Sequence, residues 1–330
     1  MDRFDHPGVR LRDFIITRDG WVFSSADYYH PEGVRGVLRY VPDPEGERTD
    51  GTRNYRKYDF DEAYRYMDIH KPEWVQDVHV VPWDQVERVL SPSERLGEIW
   101  HSDPRIEEIT ATLLEGGIPM ESMGITGSFL PGLQNGDSDI DFMVYGPLWF
   151  KARDIIARAK DNPGSNIQHL DERMWERIYH KRIPEISFEE FKLHEVRKGN
   201  RGMVGDTYFD LLFVRDWDQV TAPLGRGTDL GHETIEAIVT EAQLAFDSPS
   251  IYKVDHPEME YVLSYTHTYA GQALEGETIE ARGMVEDVEG HRRLVVGTSR
   301  EPKGEWIRSL SLLGSDAQEI VSIINADGEH

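Results

Sequence analysis

Apolar and polar positions alternate in short runs through the first 91 residues, and beyond them the spacing becomes helical. Asp13-Phe14-Ile15-Ile16-Thr17, then Arg18-Asp19-Gly20, then Trp21-Val22-Phe23 predicts two strands joined by a tight turn. Strand-like runs recur at Gly36 to Val41 and Val78 to Val81, with a helix-like stretch around Asp61 to Met67. A polar loop from Pro42 to Asn54 separates the halves, so residues 1–91 are expected to form a small α+β domain.

After Ser91-Pro92-Ser93 the period lengthens. Asp103-Pro104 has the form of an N-cap followed by proline at the first helical position. Ile106, Ile109 and Leu113 then share a face, and Gly116-Gly117 is the stop. Met123 to Thr126 predicts a short strand ending in Gly127-Ser128, and Ile140 to Tyr145 a second strand leading into a helix from Leu148 to Lys160. Ile167, Leu170, Met174 and Ile178 predict a helix over 167–180, and Ser187 with Glu190 offers a capping box for another. Thr207 to Val214 is an apolar strand interrupted by one acid, Asp210. Residues 92–216 are expected to be the core domain. Ala222 to Gly227 reads as a linker, Thr234 to Phe246 as a helix, and Met259 to Leu312 as glycine-broken strands. The segment 217–330 is therefore expected to hold a helix and a small β-rich, barrel-like domain.

Composition changes this picture in three ways. A hydrophobic share of 38%, with 8 Trp, 14 Tyr and 12 Phe, is enough for packed cores. The formal charge is −25, and 27 of the 36 bases are Arg, which points to a high-salt cytoplasm; an ordinary acidic mesophile is the alternative. In a halophile local basic patches decide nucleic-acid binding, and residues 216–330, with 22 acids against 8 bases, are the part least suited to a phosphate backbone. The absence of cysteine excludes disulfides, thiolate metal sites and thiol nucleophiles. No His-Glu-x-x-His spacing occurs among the 13 His. Met1-Asp2-Arg3-Phe4-Asp5 is no signal region, and no run approaches the roughly 18 apolar residues of a membrane span, so a soluble cytoplasmic protein is expected.

The chemistry concentrates between Gly127 and Phe142. If Asp139 opens a strand, Asp139 and Asp141 project from the same side of it, while Ile140 and Phe142 enter the opposite, buried layer. Paired carboxylates fixed in this way suit Mg²⁺, or Mn²⁺, shared with substrate phosphates in a two-metal phosphoryl transfer. A calcium loop starting at Asp137 fails, because Phe142 stands where such a loop needs glycine and Leu148 where it needs the bidentate acid. Gly127-Ser128 follows a strand, where backbone N–H groups and a hydroxyl can hold a triphosphate. Asp210 is a carboxylate among apolar neighbours, which a metal or an accepted proton would explain; Asp206 is the other candidate for a third acid. Arg197, Lys198 and Arg201 form a basic stretch that could neutralise the triphosphate, guide a nucleic-acid acceptor, or be a solvated loop. Arg53, Tyr55, Arg56, Lys57 and Tyr58 interleave bases with aromatics, as single-strand binders do, or form a strand edge on the core.

With these residues the chain resembles the DNA polymerase beta-like nucleotidyltransferase superfamily, in the style of archaeal predicted nucleotidyltransferases. The pattern is a Gly-Ser turn, a spacer, an Asp-x-Asp strand and a later acid; Gly127-Ser128, Asp139, Asp141 and Asp210 match it. The resemblance implies an α+β core, a mixed sheet with antiparallel edges flanked by helices. It also implies Mg²⁺ as cofactor and a nucleoside triphosphate, ATP among them, as donor. Many members carry an arginine three residues after the serine, where this chain has Pro131. The expected activity is transfer of a nucleoside monophosphate to an acceptor hydroxyl. The acceptor expected first is an RNA 3′ end, and second a protein or small molecule; a nucleotide-binding regulatory protein without turnover is the competing class.

Overall fold

The computed structural model describes residues 8–221, 225–298 and 304–314. The chain packs as two compact units: the first runs to His169 and resumes at Asn200, and the second takes Leu170–Gly199 and the chain from Leu224 onward. The sequence had suggested cuts near 91 and 216 instead. Residues 222–224 of the expected linker, and Met1 to Asp5, lie outside the described residues. No described helix is long and apolar enough to cross a membrane.

The first unit opens with β1 (Phe14–Thr17), β2 (Val22–Ser25), β3 (Val34–Pro42), β4 (Arg48–Thr49), β5 (Asn54–Lys57), α1 (Phe60–His70), β6 (His79–Val81) and β7 (Val86–Leu90). They make a sheet of order β4-β5-β3-β2-β1-β7, with β6 also on β3. The β1–β2 hairpin turns at Arg18–Gly20 as the alternation predicts. Helix α1 is held at its start by a reciprocal Asp59–Glu62 capping box and buries Ala63 and Met67 in a core with Phe23, Leu38 and Trp74.

The chain continues through α2 (Pro92–Ile99), α3 (Pro104–Glu115), β8 (Met123–Ile125), β9 (Ile140–Tyr145), α4 (Leu148–Lys160), β10 (Ile167–Gln168), α5 (Glu172–Arg182), α6 (Phe188–Lys198), β11 (Arg201–Val204) and β12 (Thr207–Val214). Strands β10-β11-β12-β9-β8 form a mixed sheet in which only β9 and β12 run parallel, with antiparallel partners at both edges. This is the α+β core the sequence implied. Asp103 caps α3, with Pro104 in its first turn, and Trp149 of α4 is fully buried, donating to the Leu211 carbonyl at 3.3 Å. The helix expected over 167–180 begins only at Glu172. Ile167 and Gln168 pair with Val204 and Met203, and the Asp171 carboxylate caps the helix at the Met174 N–H.

The cut near residue 91 is absent from the packing for a simple reason. Phe14, Val22, Tyr40 and Tyr55 of the N-terminal sheet share a core with Leu130 and Leu133, and Leu11 and Tyr28 share another with Met143, Tyr145 and Val214. Neither sheet could be removed without exposing the other's apolar face.

The second unit holds α5, α6 and a barrel of β13 (Thr228–Leu244), β14 (Ser250–Asp255), β15 (Tyr261–Ser264), β16 (Thr278–Val288) and β17 (His291–Val296); β18 (Trp306–Ser309) and α7 (Leu310–Gly314) follow. The order β13-β14-β15-β17-β16 closes through β13–β16, and β15–β17 is its one parallel pairing, the connectivity of an OB-type Greek-key barrel. The helix expected at Thr234–Phe246 is overturned, because 234–244 belong to β13. Ile235, Ala237 and Val239 are buried while Glu236, Ile238 and Thr240 are exposed, a period of two that Glu and Ala, both good helix formers, disguise.

Candidate active site

The site is built on three neighbouring elements of the first unit. Strand β8 is buried along its length and delivers Thr126, whose N–H donates to the Asp141 carbonyl at 2.9 Å and whose hydroxyl donates to the Arg12 carbonyl at 2.7 Å. The next residue, Gly127, takes φ +63° and starts a short 3-10 turn with Ser128 and buried Phe129. A Cβ on Gly127 would lie 2.0 Å from Asp141 Oδ2, so backbone and carboxylate are in contact. Glycine is required here on both counts.

The chain then loops through Leu133 to Asp139. Ser138 Oγ accepts the Asn135 N–H at 2.9 Å, and Arg48 Nη1 donates to Ser138 Oγ at 3.2 Å and to the Leu133 carbonyl at 3.3 Å. Asp139 emerges exposed at the end of this loop, and Asp141 is half-buried on β9 between fully buried Ile140 and Phe142. Both acids line the cleft, but the strand begins at Ile140, so Asp139 sits one residue before it and does not open it as the sequence suggested.

Asp210 is the Cα partner of Asp141 across the parallel β12–β9 pairing, and Arg201 is the Cα partner of Asp210 across β11–β12. Arg201, Asp210 and Asp141 therefore form one row across three strands. Arg201 Nε donates to Asp210 Oδ1 at 2.8 Å, and Arg201 is 6% exposed. Asp206 lies in the β11–β12 turn, exposed.

Loss of hydration at the cleft floor pushes the Asp141 carboxyl up to about 6, and the charge of Asp210 adds to this, with Asp139 a smaller contributor; Arg12 and Arg39 oppose it.

The Asp210–Asp141 register is the observation against which a divalent cation is tested. Among the described residues no three acidic or imidazole side chains converge into a preformed metal cage, and Asp210 shares its charge with Arg201. The donor chemistry alone is of the right kind for a hard cation: Asp141 and Asp210 are carboxylates on adjacent strands, paired in register, with Asp139 two residues from Asp141.

The cleft has a volume of about 250 Å³. Asp137, Asp139 and Asp141 line it with Thr126, Gly127 and Ser128; Arg39, Arg48 and Lys57 of the N-terminal sheet and Arg12 from the turn before β1 line it too. Sequence reasoning missed Arg12, Arg39 and Arg48. Lys57 alone carried a signal, in the run of bases and aromatics from 53 to 58.

The basic stretch singled out in the sequence is divided. Arg201 joins the acids as described. Arg197 and Lys198 end α6 in the second unit, where Arg197 pairs with Glu277 at 2.5 Å and Lys198, 2% exposed, pairs with Glu195 at 2.5 Å and donates to the Thr268 carbonyl at 2.8 Å. Their charges are spent on those partners.

A nucleotidyltransferase domain family matches residues 104–198, a stretch that includes Gly127, Ser128, Asp139 and Asp141 and stops before Asp210. A protein of the archaeon Methanocaldococcus jannaschii, described as uncharacterized, is 37% identical over 91% of this chain and 98% of its own length. No solved structure matches.

Proposed function

The chain belongs to the nucleotidyltransferase-domain family, and from that premise we propose that it moves a nucleoside monophosphate from a nucleoside triphosphate to an acceptor hydroxyl, with release of pyrophosphate. The observation that carries this reading is the placement of Asp141: packed against the Gly127 backbone, paired in register with Asp210, and two residues from Asp139. Asp139, Asp141 and Asp210 would hold Mg²⁺ or Mn²⁺, which when bound supplies charge neutralisation of the phosphates. The chain's own groups do the rest. Ser128 and the amides of its turn bind the triphosphate, Gly127 lets them approach closely, and a site carboxylate takes the proton of the acceptor hydroxyl.

For the acceptor we favour an RNA 3′ end, acting in the cytoplasm. The cationic side chains along the cleft and the basic run at Arg53 to Lys57 support a polyanionic substrate in an otherwise acidic chain. The acidic surplus also calls for assay at high ionic strength. Incubation with α-labelled triphosphates, Mg²⁺ and either total RNA or total protein tests the acceptor. Label in RNA of increased length supports it, and label in protein or a small molecule alone would replace it.

A further inference from the structure

Two arginines reach the cleft through backbone features that a chain does not adopt without cause. Arg12 has φ +71°, in the left-handed region that side-chain-bearing residues avoid. It is held there from both ends, its N–H donating to the Ser25 carbonyl at 3.0 Å and its carbonyl accepting from the Thr126 hydroxyl at 2.7 Å. Arg39 stands at a β-bulge. Val22 pairs with Tyr40 and Phe23 with Leu38, so Arg39 is the extra residue between two regular pairings. A bulge re-aims a side chain and is common beside active sites.

Both features aim at the same place. Arg12 and Arg39 line the cleft with the Gly127–Ser128 turn and lie within electrostatic reach of Asp141. Arg12 Nε is buried, with no hydrogen-bond partner among the described residues. A buried guanidinium donor left unmatched is costly unless an anion arrives to accept from it. Arg48 Nε is buried without a hydrogen-bond partner as well, but its Nη1 bonds the Leu133 carbonyl and Ser138 Oγ and so positions the acidic loop.

We propose that Arg12 and Arg39 form the polyphosphate-binding wall of the cleft and hold the β- and γ-phosphates of the donor triphosphate opposite the Gly127–Ser128 turn. This rests on the nucleotidyl-transfer reading. The donor is favoured over the acceptor because Thr126, bonded through its hydroxyl to Arg12, directly precedes that turn, which fixes the Arg12 backbone relative to it. In the reaction the acceptor oxygen bonds to the α-phosphorus and the bond from that phosphorus to the α,β-bridging oxygen breaks. The electron pair leaves on pyrophosphate, and the acceptor proton passes to a site carboxylate. Arg12 and Arg39 neutralise the charge gained by the departing pyrophosphate.

The test is calorimetric titration of the full-length chain with inorganic tripolyphosphate, and separately with ATP, in Mg²⁺ at fixed high ionic strength, beside a transfer assay on the parent. Arg12→Gln and Arg39→Gln are each expected to weaken tripolyphosphate and ATP by tenfold or more. If Arg12→Gln does not fold, Arg39→Gln decides alone. Variants that bind both ligands as tightly as a binding-competent, active parent overturn the assignment and leave nucleotidyl transfer standing. A parent that binds neither ligand overturns both.

Discussion

Gly127 and Asp141 are packed so closely that a methyl group on the glycine would sit 2.0 Å from a carboxylate oxygen of the acid. Gly127→Ala must push the Asp141 side chain aside and also hold alanine at φ +63°. The backbone strain costs about 1–2 kcal/mol, a modest loss of melting temperature. The displaced acid is expected to cost transfer at least 100-fold. A melting curve and a transfer assay on the same preparation check that activity falls far more than stability.

The row Arg201–Asp210–Asp141 makes a second prediction. Asp210→Asn leaves a 6% exposed guanidinium without its counter-charge, and breaking such a pair costs about 3–5 kcal/mol. Transfer should fall at least 100-fold as well, whereas Asp206→Asn, in an exposed turn, should change neither stability nor activity. Urea titration and transfer assays on both variants check this, and loss of activity in the Asp206 variant alone would move the third acid.

Lys198 and Glu195 form a buried pair in the second unit. Lys198→Met is expected to lower stability by about 3–5 kcal/mol. Below its melting temperature the variant should bind ATP with parental affinity, because that lysine's charge is already spent. Weakened ATP binding in a folded variant would return Lys198 to the nucleotide site.

Asp13, buried and accepting the Arg10 N–H at 2.8 Å, has its carboxyl pushed up to about 7 by burial. Between about pH 4 and pH 7 the folded chain keeps a proton that the unfolded chain has released, so stability declines as pH rises through that window. Asp13→Asn removes the Asp13 share of the decline and leaves that of Asp141. Parent and variant should melt together near pH 4, and the variant should be more stable by up to about 4 kcal/mol above pH 7. Denaturation series across pH give the measurement.

The sequence made the central constellation legible because each part obeys a local rule. Asp139 to Phe142 alternates acid with apolar residue, Thr207 to Val214 is apolar around one acid, and Asp103-Pro104 and Ser187–Glu190 are helix starts with known cap chemistry. Asp210 opposite Asp141 is a matter of register between distant strands, which no local pattern encodes. Arg12 and Arg39 were hidden for a related reason, since a left-handed residue and a bulged residue are set by long-range pairing. The strand at Ile235 to Val239 was misread because its period of two is written in residues that favour helices.

The most direct test of nucleotidyl transfer at these carboxylates compares the parent with Asp141→Asn, each given a triphosphate labelled at the α- or the γ-phosphorus, with Mg²⁺, at fixed ionic strength. The predicted result is that the parent joins the α-label to the acceptor and releases the γ-label as pyrophosphate, while the folded variant does neither. Transfer of the γ-label to the acceptor, or parental activity in Asp141→Asn, would contradict it.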